Sequence, residues 1–186
     1  MKLFGFLILL CLALMISKNI QPIFNLKSGF YNADSIILEI SIEDPDAIIY
    51  YTLNGSTPTI NSTIYKNPII LKKKSLEPNV YSKITKVSPD NDYIPHENIK
   101  KCNIIRVMAK LYDGTLTPVI SRTFFVGFNR KKLYEDVPVI SIITDPENLF
   151  DYEKGIYVMG KMYDDWIKED PKTIKEASYH KKVIII

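Results

Sequence analysis

Cysteine and histidine are almost missing from this chain, and their scarcity removes several chemistries at once. Among 186 residues there are two cysteines, Cys11 and Cys102, and two histidines, His96 and His180. Cys11 falls in a stretch expected to be removed as a signal peptide, which leaves Cys102 alone. One cysteine makes neither an internal disulfide nor a metal site, so a small buried or edge residue is the plain reading. Neither histidine lies in a motif such as Gly-x-Ser-x-Gly, so no hydrolytic triad is signalled. Glycine is also scarce, at seven. Gly155 and Gly160 bracket Ile-Tyr-Val-Met, with no Gly-Lys-Ser/Thr and no third spaced glycine, so they read as turn glycines and not as a phosphate cradle. Charge of one sign is missing too: 24 basic against 21 acidic side chains give +3. That balance makes no case for nucleic acid, and Lys72-Lys73-Lys74 reads as a solvated loop.

What is present begins with Lys2 and a run without charge at residues 3–16. Fourteen apolar residues match a signal-peptide core and fall short of the roughly 20 that a spanning helix needs. A signal peptide is expected over residues 1–17, with cleavage near Ser17 and an uncleaved anchor as the alternative. Leu10 is too large for a lipoprotein box before Cys11.

From Ser35 the pattern has period two: Ile36, Leu38, Ile40 and Ile42 on one face, Ile37, Glu39 and Ser41 on the other. This is a half-buried strand, broken at Asp44-Pro45-Asp46. Residues 47–53 are β-branched and aromatic and form a second strand, with Ile49, Tyr51 and Leu53 on one face and Ile48, Tyr50 and Thr52 on the other. Asn54-Gly55 then predicts a primed hairpin turn, with Tyr65 re-entering the sheet. Residues 65–71 form a third strand, made an edge by Pro68. Residues 75–101 hold three prolines and read as a surface excursion. Residues 103–112 alternate again, with Ile105, Val107, Ala109 and Leu111 inward and Arg106, Lys110 and Tyr112 outward. Asp113-Gly114 turns the chain into a strand over 119–126. The fold class is therefore mainly β: an antiparallel Ig-like β-sandwich over 22–129, with an N-terminal signal helix before it and an incomplete α+β segment after it.

Beyond the junction Arg130-Lys131-Lys132, residues 137–144 predict an apolar strand. Asp145-Pro146-Glu147 predicts a helix start with Asp145 as N-cap. Residues 155–160 read as extended, and Met162 begins a further helix. Residues 183–186, Val-Ile-Ile-Ile, form an apolar run that needs a strand to pair with. The apolar content of 133–186 is too small for a core of its own, so this unit is expected to be the opening of a larger domain.

Four stretches carry a resemblance: SGFY at 28–31, IIYYTLNGSTPT at 48–59, IIRVMAKLYDG at 104–114 and TFFVG at 123–127. Together they resemble the chitobiase/β-hexosaminidase C-terminal-like β-sandwich. That family usually carries Asp-Gly-Ser where Asn54-Gly55-Ser56 stands, a swap that keeps the turn and loses a carboxylate. VPVISIITDPENLFDYEKGIYVMG at 137–160 resembles the opening of a CotH-type, spore-coat kinase-like domain. The resemblance implies an exported, surface or spore-coat protein of CotH-like order. The family's metal-binding acids and nucleotide lysine lie further on, and none of those roles transfers to a residue here.

Three functions remain open at this point. The first is a non-catalytic binding or spacer module at the cell surface or spore coat, with no cofactor, no nucleic-acid partner and no membrane contact once the signal is cleaved. The second is a carbohydrate-binding accessory module, in which Tyr50 and Tyr112, with Tyr51 and Tyr65, stack on sugar rings; the alternative for these tyrosines is core and solvated sheet face. The third is an N-terminal fragment of a secreted protein-serine kinase. Asn61, and less accessibly Asn54, satisfy the N-glycan acceptor rule. Asp145, Glu147, Asp151 and Glu153, and likewise Asp164, Asp165, Glu169 and Asp170, lack calcium-loop spacing and read as helix caps and solvated faces.

Overall fold

The computed structural model describes residues 20–87 and 92–169; the expected signal peptide, His180 and the run at 183–186 lie outside the described residues. Among the described residues nine strands follow in chain order: β1 Ile23–Phe24, β2 Gly29–Tyr31, β3 Ser35–Leu38, β4 Ile40–Ser41, β5 Ile48–Thr52, β6 Thr63–Ile64, β7 Ile69–Lys72, β8 Asn103–Lys110 and β9 Ile120–Val126. Three short helices come after them: α1 Arg130–Tyr134, α2 Glu147–Phe150 and α3 Lys161–Glu169. The protein is mainly β, as its alternating runs predict.

The larger sheet has the order β2-β9-β8-β5-β6. Its pairs are antiparallel except β2 with β9, which run parallel. Two small antiparallel ribbons, β3-β7 and β1-β4, form the facing layer. The periodicity of 36–42 is what makes the sandwich: Leu38 and Ile40 are buried, and Ile36 and Ile42 pack against the same cluster. Across from them lie Ile49, Ile105, Val107, Ala109, Phe124 and Val126, with Leu71 closing the facing layer.

The expected first strand is divided at Glu39, whose N–H donates to Asn25 Oδ1 (2.9 Å) while its carbonyl accepts from the Asn25 N–H (3.1 Å). The chain thereby changes pairing partner from β7 to β1 without leaving a backbone group unpaired. The expected third strand is likewise two strands. Thr63–Ile64 pairs with β5, and Ile69–Lys72 crosses to pair with β3. Pro68 sits between them, where a missing N–H costs no ladder bond. Tyr65 ties the layers together: its N–H donates to the Ile49 carbonyl (2.8 Å) and its hydroxyl accepts from the Ile40 N–H (3.1 Å).

After β9 a short helix forms at the junction, and two further expectations need correction. Residues 130–134 are helical, capped by the Asn129 side chain, which accepts from the Lys132 N–H (3.1 Å). Residues 137–144 are in no strand, because no described strand lies alongside them. The helix after Asp145 is capped by Pro146 without a side-chain hydrogen bond. The excursion at 75–101 has no strand in its described part and contains one 3₁₀ turn, Tyr81–Lys83. Buried Asn79 staples it, donating to the Glu97 carbonyl (2.9 Å) and accepting from the Ile99 N–H (3.1 Å).

The burial pattern sets a contrast. Ile105→Ala, at the fully buried centre, is expected to destabilise the protein by about 2–5 kcal/mol. Ile37→Ala, on a side chain 57% exposed, is expected to stay within about 0.5 kcal/mol. Chemical denaturation of the two variants measures the difference.

Candidate functional site

The larger sheet has a second face, and that is where the chain concentrates its polar chemistry. Phe30, Tyr50, Ile104, Arg106, Met108, Thr123 and Phe125 point away from the core, as their registers require. An antiparallel sheet ordinarily leaves such a face wet. Here Thr123, Phe125, Met108 and Tyr50 are buried. Residues 134–145 run across this face. Tyr134 packs on Phe30 at 5.8 Å between centroids, and Phe30 stacks on Phe125 at 4.6 Å. Val139 packs against the cluster of Cys102, Phe125 and Phe128. Ser141 Oγ lies 2.7 Å from Thr123 Oγ.

The crossing ends in a clasp. The Asp145 carboxylate accepts from the Thr57 N–H, from Thr57 Oγ1 at 2.9 Å and from Arg106 Nη1 at 3.1 Å. Arg106 Nη1 also donates to the Gly55 carbonyl at 2.9 Å. The guanidinium therefore joins the β5–β6 loop to a residue 39 positions further on. Burial works against the Asp145 charge, but the hydrogen bonds from Thr57 and the charge of Arg106 outweigh it and hold the carboxyl below its usual range. This use of Asp145 replaces the expected helix cap.

The loop presenting Thr57 is wider than a primed two-residue turn. Tyr51 opposes Thr63 and Tyr50 opposes Ile64, so the loop runs from Leu53 to Ser62. Gly55 has φ +84°, whereas Asn54 does not have a positive φ. Asn54 Oδ1 instead accepts from the Ser56 N–H (3.1 Å) and Ser56 Oγ (2.6 Å), an Asx turn. A second set of contacts lies beside the first. Tyr81 stacks on Phe150 at 5.6 Å, Phe150 meets Tyr157 edge-on at 6.0 Å, and the Met159 N–H donates to the Lys86 carbonyl at 2.7 Å. Lys86 has φ +61°, unusual for a residue with a side chain. Within 155–160, residues 156–158 are bends and none is in a strand, so the expected extended piece is not formed.

The residues singled out from the sequence are not brought together. Tyr50 is 7% exposed, so it cannot offer a ring to a sugar. Tyr112 is 82% exposed at the β8 end. Tyr51 and Tyr65 pack against the core and against each other at 6.5 Å. The expected four-tyrosine platform is therefore not formed. Asn61 is exposed in the wide loop, where its backbone N–H donates to Thr59 Oγ1 (3.2 Å). His96 is exposed. Cys102 lines a cavity of about 200 Å³ with Leu53, Val80, Tyr81, Ser82 and Ile104. Burial pushes its thiol up to about 11, which keeps it protonated and a poor nucleophile at neutral pH. Asp151 accepts from the Glu153 and Lys154 N–H groups, Glu147 pairs with Lys154 at 3.0 Å, and Asp164 accepts from the Tyr152 hydroxyl at 2.9 Å. Among the described residues no group of three His, Cys, Asp or Glu is disposed to hold a metal ion.

Residues 26–77 match the chitobiase/beta-hexosaminidase C-terminal domain. The match takes in β2 to β7 and stops before β8, so it covers both layers of the sandwich but neither the clasp arginine nor Asp145. No curated protein matches the chain. Thr57, Arg106 and Asp145 were each visible in the sequence, but nothing in their spacing links them. The one local hint is an arginine in the middle of an apolar strand.

Arg106 and Asp145 are expected to be coupled. In a double-mutant cycle with Arg106→Met and Asp145→Asn, the interaction energy should be about 1 kcal/mol, since the Asp145 side chain is one-third exposed and solvent screens the pair. Because the folded carboxyl is depressed, this contribution is complete above the ordinary aspartate range near 3.9 and disappears as pH falls through the folded value. Wild type and Asp145→Asn should therefore converge in stability below about pH 4 and differ at pH 7, as followed by denaturation.

Proposed function

We propose that this protein is an exported, non-catalytic β-sandwich module, spanning about residues 22–129, that acts as a rigid spacer and mount for the unit that follows it. One observation carries this reading: the outer sheet face, where a sandwich module would receive a ligand, is occupied by the chain's own residues 134–145. The clasp at Asp145 and the Tyr81–Phe150 stack then fix the following residues against the loops at one end of the sandwich. The apolar run at residues 3–16 supports export. The resemblance of 137–160 to the opening of a CotH-type domain supports a surface or spore-coat setting. The burial of Tyr50 counts against a carbohydrate-binding role.

Two experiments test this. The purified chain, given ATP, Mg²⁺ and a serine-rich peptide, should transfer no phosphate; turnover would overturn the non-catalytic reading. On a panel of immobilised polysaccharides it should show no retention beyond a Tyr112→Ala variant, and retention lost in that variant would revive the sugar-binding reading. Secreted from a glycosylating eukaryotic host, the chain should carry its glycan at Asn61. Asn61→Gln should abolish the mass shift that glycosidase removes, whereas Asn54→Gln should leave it in place.

A further inference from the structure

The cavity that Cys102 lines has no part in a spacer, yet the fold builds it with care. Its volume is about 200 Å³. Two lengths of the excursion, 77–82 and 99–101, supply much of its wall, and Leu53 after β5 and Ile104 on β8 supply the rest. Polar bonds hold the two lengths side by side. Asn79 bonds to the Glu97 carbonyl and the Ile99 N–H, and Asn98 Nδ2 donates to the Leu76 carbonyl (3.2 Å). Lys101 Nζ donates to the Glu77 (2.8 Å) and Ile99 (3.0 Å) carbonyls. Walls tied in this way hold the space open, as in the largely pre-formed pockets that take small molecules.

The lining is mostly apolar, with Leu53, Val80, Ile99, Cys102 and Ile104. Its charged members are Lys74, Glu77 and Lys101. Glu77 is exposed and stays hydrated, and Lys101 is engaged by the two carbonyls. Lys74 differs: it is half-buried, and among the described residues its ammonium takes part in no hydrogen bond or ion pair. Its charge acts on the buried Cys102 thiol, where it opposes the effect of burial. A cation drawn partly out of water without a partner is costly. A carboxylate beside it removes that cost through a charge-assisted hydrogen bond.

We propose that this cavity binds a small monocarboxylate, with its apolar body among Leu53, Val80 and Ile104 and its carboxylate on Lys74. Size sets the class of ligand. A cavity of about 150 Å³ takes a benzene ring, whereas pockets for larger ligands run from about 300 to 1,000 Å³. One ring or a short alkyl chain therefore fits here, and a nucleotide or an oligosaccharide does not. Charge selects within that class: the unpaired ammonium favours an anion over an alcohol of the same length and repels an amine. Binding here neither needs nor excludes the spacer role, and the phosphotransfer assay that tests that role reads a different property.

The test titrates the full chain with hexanoate, hexanol, hexylamine and acetate, and follows binding by saturation-transfer NMR. Hexanoate should bind saturably and about tenfold more tightly than hexanol, the scale of a hydrogen bond to a charged group. Hexylamine, with the wrong charge, and acetate, with no apolar body, should show no saturable binding. Lys74→Gln should bring hexanoate down to the level of hexanol, and Lys74→Arg should keep the preference. Cys102 reports the location: hexanoate should slow its alkylation several-fold, in step with occupancy, in peptide maps that separate it from Cys11. Absence of saturable hexanoate binding, equal binding of hexanoate and hexanol, a preference unchanged in Lys74→Gln, or alkylation of Cys102 unaffected at saturation would each overturn the proposal. If Lys74→Gln fails to fold, the ligand series and the Cys102 readout on the unaltered chain decide the matter by the same criteria.

Discussion

β9 has to be covered on both sides. Thr123, Phe124, Phe125 and Val126 are four consecutive buried residues, and a strand turns successive side chains to opposite faces. Phe124 and Val126 are satisfied by the sandwich core. Thr123 and Phe125 are not, and a two-layer sandwich offers nothing on their side. The requirement is met by the chain immediately after β9, which turns through α1 and crosses back over the sheet it has just completed. The aromatic stack of Phe30, Phe125 and Tyr134 lies at the start of this crossing, and the clasp of Asp145 lies at its end.

That one demand also explains why the aromatic side chains do not form a recognition surface. Tyr50 faces the same way as Phe125 and Arg106, one strand further across, and it is buried with them. An outward-facing tyrosine is a ligand platform only while the face it sits on stays open. Here the face is occupied by a segment two of whose polar side chains find polar partners: Ser141 meets Thr123, and Asp145 meets Thr57 and Arg106. Groups that are hydrogen-bonded across an interface cost little to bury, whereas the same groups unpaired would be expensive. The crossing is thus specific in register as well as apolar.

Much of this architecture could be read in advance, and the division is a physical one. Strands β3, β4 and β8 were legible because one side of each meets a continuous core, so side-chain period and burial period coincide. The inward assignments of Ile105, Val107 and Ala109 follow directly. The split of the third strand was not legible as a change of layer, since Pro68 marks a break without saying where the chain goes next. Asn54-Gly55 indicated a turn but gave the wrong kind: Asn54 spends its side chain on the Ser56 amide, and the loop stays open to Ser62. The apolar run at 137–144 has the composition of a strand, yet a strand is a property of two segments, and among the described residues none pairs with it. The clasp was out of reach altogether, because Arg106 and Asp145 meet through tertiary packing that no local spacing encodes.

The clasp also gives a reason for the asparagine at the head of the loop. The module this sandwich resembles usually carries aspartate at that position, and here the position is neutral. Asn54 Oδ1 accepts from Ser56, and Asp145 Oδ1 accepts from Thr57, the next amide along. A carboxylate at both places would set two negative charges around adjacent peptide groups with one guanidinium to serve them. Arg106 already divides its Nη1 between Asp145 and the Gly55 carbonyl, and its Nε is buried without a partner. An amide keeps the Asx turn that shapes the loop, since its oxygen accepts as a carboxylate oxygen does, and it leaves the guanidinium's charge to Asp145. The carboxylate absent from the hairpin is in this sense supplied by Asp145, 88 residues beyond its partner Thr57, from the segment that the sandwich holds in place.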